Sequence, residues 1–253
     1  MQNAMSREES FYGTPSGKVC VSLLGERMRW FWPELKNQSV LGLGGATPYL
    51  HTVGDGSTLR IGAYLGTTRR ADMAFQHGQC CVVDPASLPF EEQRFDRILL
   101  VHALQGRENP VTLLRSAARA LKDDGRLLMV VPSRLGGRAR LRRTPFARDA
   151  SFTRPKLRQL LAAAMLRAEQ WDEAVFMPAS HACRTLRQGR RMDIAGKVLC
   201  PGGGSLILVE AVPDVYSALP LSVQHKKGWF ARMRMPSTGM ASTPRAGKTS
   251  WPG

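Results

Sequence analysis

The stretch from residue 88 to residue 132, LPFEEQRFDRILLVHALQGRENPVTLLRSAARALKDDGRLLMVVP, limits what this chain can fold into more than any other. Two apolar runs, FDRILLVHA (95–103) and RLLMVVP (126–132), have the length and aliphatic content of buried strands. A helix is predicted between them. Asn109 stands as its cap and Pro110 suits its first turn, while Val111, Leu114, Ala118 and Leu121 recur at helical spacing and Gly125 follows its end. Strand, helix and strand at this separation make one right-handed crossover of a parallel sheet.

The rest of the chain continues the alternation. Thr14-Pro15 starts a predicted helix with Cys20, Leu24, Met28 and Phe31 along one stripe, and Pro33 ends it. Strands are predicted at SVLGL (39–43), TLRIGAYL (58–65), QCCVV (79–83), WDEAVFM (171–177) and SLILVEA (205–211). A short helix is expected near 48–53. Another runs from Pro155 to about Arg167, with Leu157, Leu160, Leu161, Ala164 and Met165 inward. A basic, weakly helical insertion spans 179–200. The fold class is therefore α/β, a doubly wound seven-stranded sheet whose last strand lacks a long preceding helix. The organisation reads as a flexible N-terminus (1–13), one domain (14–212) and a basic tail (213–253). The tail's Pro, Gly, Ser and Thr content cannot build a core, so it is expected to be disordered.

The 88–132 block resembles the second half of the class I S-adenosylmethionine-dependent methyltransferase domain. The family's LPF, FD-plus-apolar-strand and helix–K–GG–R–apolar–P signatures stand here as Leu88-Pro89-Phe90, Phe95-Asp96 and Lys122 to Pro132. The resemblance, of the type 11 kind, covers about residues 12–212. It implies a Rossmann-like fold, an antiparallel seventh strand beside the fifth, and S-adenosylmethionine as cofactor. The turn after the first strand, Val40 to Pro48, is similar to the family's VLDLGCGTG motif. Matched along that motif, Gly42 takes the place of the acidic residue, Gly44 of the first glycine, Ala46 of the second, and Pro48 of the third, while Thr47 matches. Asp84, after the third strand, matches the acid that accepts from the adenine amino group, and Leu88 offers apolar contact nearby. His102, after the fourth strand, matches the floor of the substrate cleft. The implied cofactor site is thus Gly42, Gly44, Gly45, Thr47, Asp84, Leu88 and His102.

Each of these positions also has a plain structural reading. The glycine turn serves any tight strand-to-helix connection, Asp84 before Pro85 suits a turn or a helix cap, and His102 suits a hydrogen-bonded core. Three positions depart from the pattern: Gly42 carries no carboxylate, Ala46 adds a methyl group, and Pro48 lacks a backbone donor. The second strand, TLRIGAYLG, ends in no acid for the ribose hydroxyls, and Asp72 lies far beyond it. No catalytic signature is visible. Thr144-Pro145-Phe146 and Ser151-Phe152 are placed to line an acceptor entrance.

The formal net charge is +16. Arg134, Arg138, Arg140, Arg142, Arg143 and Arg148 form one cluster, Arg184, Arg187, Arg190, Arg191 and Lys197 another, and the tail carries more. Such a field attracts RNA or anionic lipid, or it is a solvated surface with no partner. The five cysteines are odd in number and irregularly spaced, and the histidines are scattered, so free thiols and no metal site are expected. No secretory signal or transmembrane run is present, which points to the cytoplasm. Two functions stay open: an S-adenosylmethionine-dependent methyltransferase whose acceptor, a small molecule or another, the sequence does not name, and a catalytically inactive methyltransferase-like binding or scaffold protein with a basic surface; a nucleic-acid methyltransferase is a third reading that rests on charge alone.

Overall fold

The computed structural model describes residues 10–54, 56–66, 79–104, 109–136, 138–176 and 186–214. Its centre is a seven-stranded sheet with the order β3-β2-β1-β4-β5-β7-β6. The strands are β1 (Ser39–Gly44), β2 (Leu59–Leu65), β3 (Gln79–Val83), β4 (Phe95–Val101), β5 (Leu121–Pro132), β6 (Leu166–Ala174) and β7 (Leu206–Pro213). Neighbours from β3 across to β5 pair in parallel. β7 runs antiparallel to both β5 and β6, between which it lies. This is the doubly wound sheet with an antiparallel last strand that the sequence predicts.

Helices cover both faces, which is why the central strands are apolar on both sides. One face packs against α3 (Pro110–Ala120) and α4 (Arg154–Ala163) through Leu113, Leu114, Ala117, Leu157 and Leu161. The other packs against α1 (Pro15–Phe31) and α2 (Thr47–Leu50) through Leu24, Met28, Phe31, Tyr49 and Leu50. A fifth helix, α5 (Leu186–Leu199), lies beside α1. The long covering helices share one starting device. Thr14, Asn109 and Thr153 each accept a hydrogen bond from a backbone N–H of the first turn, and a proline sits in that turn.

The observed boundaries differ from the expected ones where a residue turns left-handed. β4 stops at Val101 because His102 has φ +54°. α4 ends at Ala163, not near Arg167, and β6 begins at Leu166, because Met165 has φ +61° and reverses the chain at once. β5 begins at Leu121, so Gly125 lies within it and not after a helix. The N-terminus is not loose up to residue 13: Tyr12 is buried and hydrogen-bonded. At the other end Pro213 pairs with Leu166 in the sheet, and the tail from residue 215 lies outside the described residues.

Candidate active site

In doubly wound sheets the ligand sits at the carboxyl ends of the parallel strands. Here β1 and β4 end together, Gly44 opposite Val101. Gly44 has φ +74°, and a Cβ on it would lie 2.6 Å from the Val101 carbonyl oxygen. Only glycine fits that crossing. The Gly45 N–H donates to the same Val101 carbonyl at 2.7 Å. The glycine turn is thus laced to the end of β4, directly beside His102.

Gly42 is buried within β1, paired with Gly62 of β2 and Leu99 of β4. A Cβ at Gly42 would meet Leu50 Cδ1 at 2.9 Å and the Ala46 methyl at 3.1 Å. The place where the resemblance puts a carboxylate is therefore closed by α2. Gly62 is equally bare: a Cβ there would lie 3.2 Å from both the Cys80 Sγ and the Thr47 Oγ1. Two adjacent glycines let α2 settle on the sheet, and Leu50 fills the space. Thr47 Oγ1 is left buried without a hydrogen-bond partner among the described residues.

The end of β2, Tyr64-Leu65, carries no acid, and Asp72 lies outside the described residues. At β3, Asp84 is exposed and its Oδ1 accepts from the Ala86 N–H at 2.8 Å. It caps its own turn and keeps its remaining acceptor capacity toward solvent. Leu88 is half-buried against the α3 side of the core. Gly44, Gly45, Thr47 and His102 are thus gathered around the ends of β1 and β4. Gly42 lies beneath them, while Asp84 and Leu88 belong to the turn after β3.

His102 anchors the other side of this edge. Its Nδ1 lies 2.6 Å from Oδ2 of Asp149, and its Nε2 lies 2.7 Å from the Tyr12 hydroxyl. The Tyr49 hydroxyl donates to Tyr12 at 3.0 Å. Tyr12 therefore has its own proton to give to Nε2, which leaves the imidazole Nδ1–H to face the carboxylate. The ring of Phe146 stacks at 4.1 Å between centroids. The His102 side chain is 1% exposed and that of Asp149 6%. Burial, and after it the neighbouring Tyr12 and Cys20, push the Tyr49 phenol well above its ordinary pKa. A left-handed, enclosed histidine between a carboxylate and a phenol is an ordered arrangement of hydroxyl, base and orienting acid.

Chain entry and loop closure place these groups. Tyr12 stands just ahead of the α1 cap. Asp149 follows a 3-10 turn, Pro145–Ala147, in a loop whose return is fixed by Phe152: its N–H donates to Pro132 O and its carbonyl accepts from Arg134 N. Of the expected entrance residues, Phe146 touches His102, while the Thr144 hydroxyl turns back onto Leu141 O. Tyr12, Tyr49 and Asp149 are site residues that sequence reasoning does not single out. A Tyr two residues before the Thr-Pro cap and an Asp two residues after the TPFA turn are the available signals.

Residues 41–129 match the sequence profile of the methyltransferase domain, and the strand order and antiparallel β7 match its fold. This segment carries the similarity to the methyltransferase domain, and the sheet around it has the class I methyltransferase fold. A Thermotoga maritima S-adenosylmethionine-dependent methyltransferase superposes with a TM-score of 0.56 at 16% identity, over 82% of this chain and 95% of that one. A Burkholderia thailandensis 1,6-didemethyltoxoflavin N1-methyltransferase, solved with S-adenosylhomocysteine, superposes at 0.53 and 15% identity, over 84% and 86%. A Haloferax volcanii methyltransferase in complex with its activator protein superposes at 0.52 and 16% identity, over 84% and 94%. At these identities the likeness is one of fold. No curated protein matches the chain. No helix among the described residues is long and apolar enough to cross a membrane.

Proposed function

We propose that the chain is a cytoplasmic S-adenosylmethionine-dependent methyltransferase that acts on a small-molecule acceptor at the ends of β1 and β4. The observation that carries this is the convergence there of the left-handed Gly44 turn, the unsatisfied Thr47 hydroxyl and the buried Tyr12–His102–Asp149 chain. An orphaned buried hydroxyl at the glycine turn fits a polar ligand, and the exposed Asp84 fits an amino-bearing base. The similar Burkholderia enzyme holds S-adenosylhomocysteine, which supports the cofactor class. Gly44, Gly45, Thr47, Asp84 and Leu88 would hold the cofactor. When bound, S-adenosylmethionine supplies an electrophilic methyl group on sulfur.

Methyl transfer of this kind is served first by alignment, and by a base only when the acceptor must lose a proton. His102 Nε2 is that base. It takes a proton through the Tyr12 hydroxyl, and Asp149 stabilises the resulting imidazolium at Nδ1. The enclosure of His102 keeps water from the proton path.

A second reading, a binding scaffold that has lost catalysis, is favoured by one feature. Leu50 closes the Gly42 position, and β2 ends without an acid. A site built to hold a diol loses much affinity without its acceptor. Calorimetry with S-adenosylhomocysteine separates the two. Saturable binding, with label transfer from S-adenosylmethionine to small hydroxyl or amine compounds, supports the enzyme. No binding at millimolar ligand removes it and leaves the scaffold.

A further inference from the structure

Among the described residues, the basic insertion contributes nothing to the candidate active site. Its residues 186–199 form α5, and that helix has two unlike faces. Gly189 and Asp193 are buried, and Gly196 sits so close to Phe176 that a Cβ would lie 2.3 Å from the Phe176 Cβ. Asp193 is fully engaged: Oδ1 accepts from the Val175 and Phe176 N–H groups, and Oδ2 from Arg27.

The opposite face carries Arg187, Arg191, Ile194 and Val198, a spacing of four, three and four that lines up along a helix. Ile194 is 53% exposed, Val198 75%, and Leu199 at the helix end 79%. Across a groove of about 440 Å³ from Ile194 stands Trp30 of α1, 65% exposed. The groove's carboxylates are Glu26 and Asp193, and both are already paired, with Arg190 and Arg27. Arg29, Arg187 and Arg191 form no ion pair among the described residues.

Exposed aliphatic side chains gain from an apolar phase, and free arginines gain from fixed anions. RNA offers the anions without the apolar phase. A bilayer with acidic headgroups offers both in one plane, where an amphipathic helix lies flat and a tryptophan ring rests at headgroup level. We propose that α5 and Trp30 form a contact surface for anionic membrane lipid, which docks the protein reversibly without crossing the bilayer. This assignment is independent of the methyltransferase proposal.

The test is vesicle flotation with the full chain. Vesicles of phosphatidylcholine alone are compared with vesicles that also contain phosphatidylglycerol, at low and physiological salt. The chain should float with the acidic vesicles and not with the neutral ones, and more weakly as salt rises. Arg187→Ser/Arg191→Ser should weaken binding at least about tenfold. Ile194→Ser/Val198→Ser should weaken it to a similar degree with all the arginines in place. All four positions are exposed, so circular dichroism and melting should stay as in the parent. Equal flotation on neutral vesicles, or no flotation, overturns the proposal. So does undiminished binding by both double variants, which would place the contact elsewhere on the chain. Tighter capture of an RNA oligonucleotide, sensitive to the arginine pair and indifferent to Ile194→Ser/Val198→Ser, would make the surface a polyanion site and overturn the lipid assignment.

Discussion

Tyr12 and His102 are 90 positions apart in the chain, yet the phenol oxygen lies 2.7 Å from Nε2 of the imidazole. This contact ties the entry to α1 to the end of β4, and Asp149 extends it to the loop after β5. Three separate segments thus close over one histidine, and its proton has a defined donor and a defined counter-charge.

Tyr12→Phe keeps the ring and removes the hydroxyl. It leaves Nε2 of His102 and the Tyr49 hydroxyl without their shared partner inside the core. The expected cost is about 1–3 kcal/mol of folding stability, read by urea denaturation. S-adenosylhomocysteine affinity should change little, while transfer to a protic acceptor should fall. His102→Asn, which tolerates the left-handed backbone, should lose transfer more severely. Parent-like transfer rates in both variants would remove His102 from the proton path.

Gly42→Asp restores the carboxylate of the family motif and should do harm. Its Cβ would press on Leu50 at 2.9 Å. Overpacking of this kind costs about 1–3 kcal/mol, before the burial of a charge is counted. The melting temperature should drop, and Gly42→Asp/Leu50→Ala should recover part of it. If the double variant also binds S-adenosylhomocysteine more tightly than the parent, the space taken by Leu50 is what weakens the cofactor site.

Asp84→Ala should weaken S-adenosylhomocysteine binding by about 1–3 kcal/mol. The fold should be nearly unaffected, because the side chain is exposed and caps only its own turn. Calorimetry beside a melting curve separates these effects. An unchanged affinity with an intact fold would assign Asp84 to the turn alone.

Asp96 gives the fold an acid-sensitive joint. Its Oδ2 accepts from the Ser39 N–H and hydroxyl, and its Oδ1 pairs with Lys122 at 2.7 Å. Burial works to raise its pKa, but the bonds to Lys122 and Ser39 outweigh it and hold the carboxyl below the ordinary value. A carboxylate with a lowered folded-state pKa contributes its full stabilisation above the ordinary value. That contribution is lost as the pH falls through the folded-state value. Asp96→Asn should therefore cost stability at neutral pH, and the gap to the parent should narrow as acid is added. A gap that stays constant on acidification would show that the charge contributes nothing.

The thiols should differ in reactivity. Burial, then the neighbouring Cys81, pushes Cys80 up to about 11, and burial raises Cys81 as well. Cys200 is exposed. Because the thiolate is the reactive form, iodoacetamide at neutral pH should label Cys200 before Cys80 and Cys81. Cys80 and Cys81 should be labelled mainly after unfolding. Peptide mass spectrometry over time reads the order.

The parts legible in the sequence were those whose signals are local. The Thr14-Pro15 and Asn109-Pro110 caps, the stripe from Cys20 to Phe31, and the apolar strands around them depend on neighbours within a few positions; the caps and the stripe stand where the sequence puts them, and the strands do so apart from their ends. The start of β6 was missed because Met165 is a residue that composition alone does not mark as left-handed. The site divides in the same way. The glycine turn could be seen because one short segment carries it. The Tyr12–His102–Asp149 chain could not, because its members meet only after three distant segments have packed. The resemblance located the Gly42 difference, but its cause, Leu50 lying over two adjacent glycines, is a matter of packing.

The two oxygens of Asp193 hold separate things: one the left-handed Val175 and its neighbour at the end of β6, the other the guanidinium of Arg27. Losing Asp193 would leave Arg27 with Asp172 alone, at 3.5 Å, and would free the two amides just after β6, while losing Arg27 would leave Oδ2 of Asp193 without its cation. Neither position can drift by itself. Across homologous chains, residues 27 and 193 should be inherited as a matched pair, and where the pair is absent the chain after β6 should take a different course.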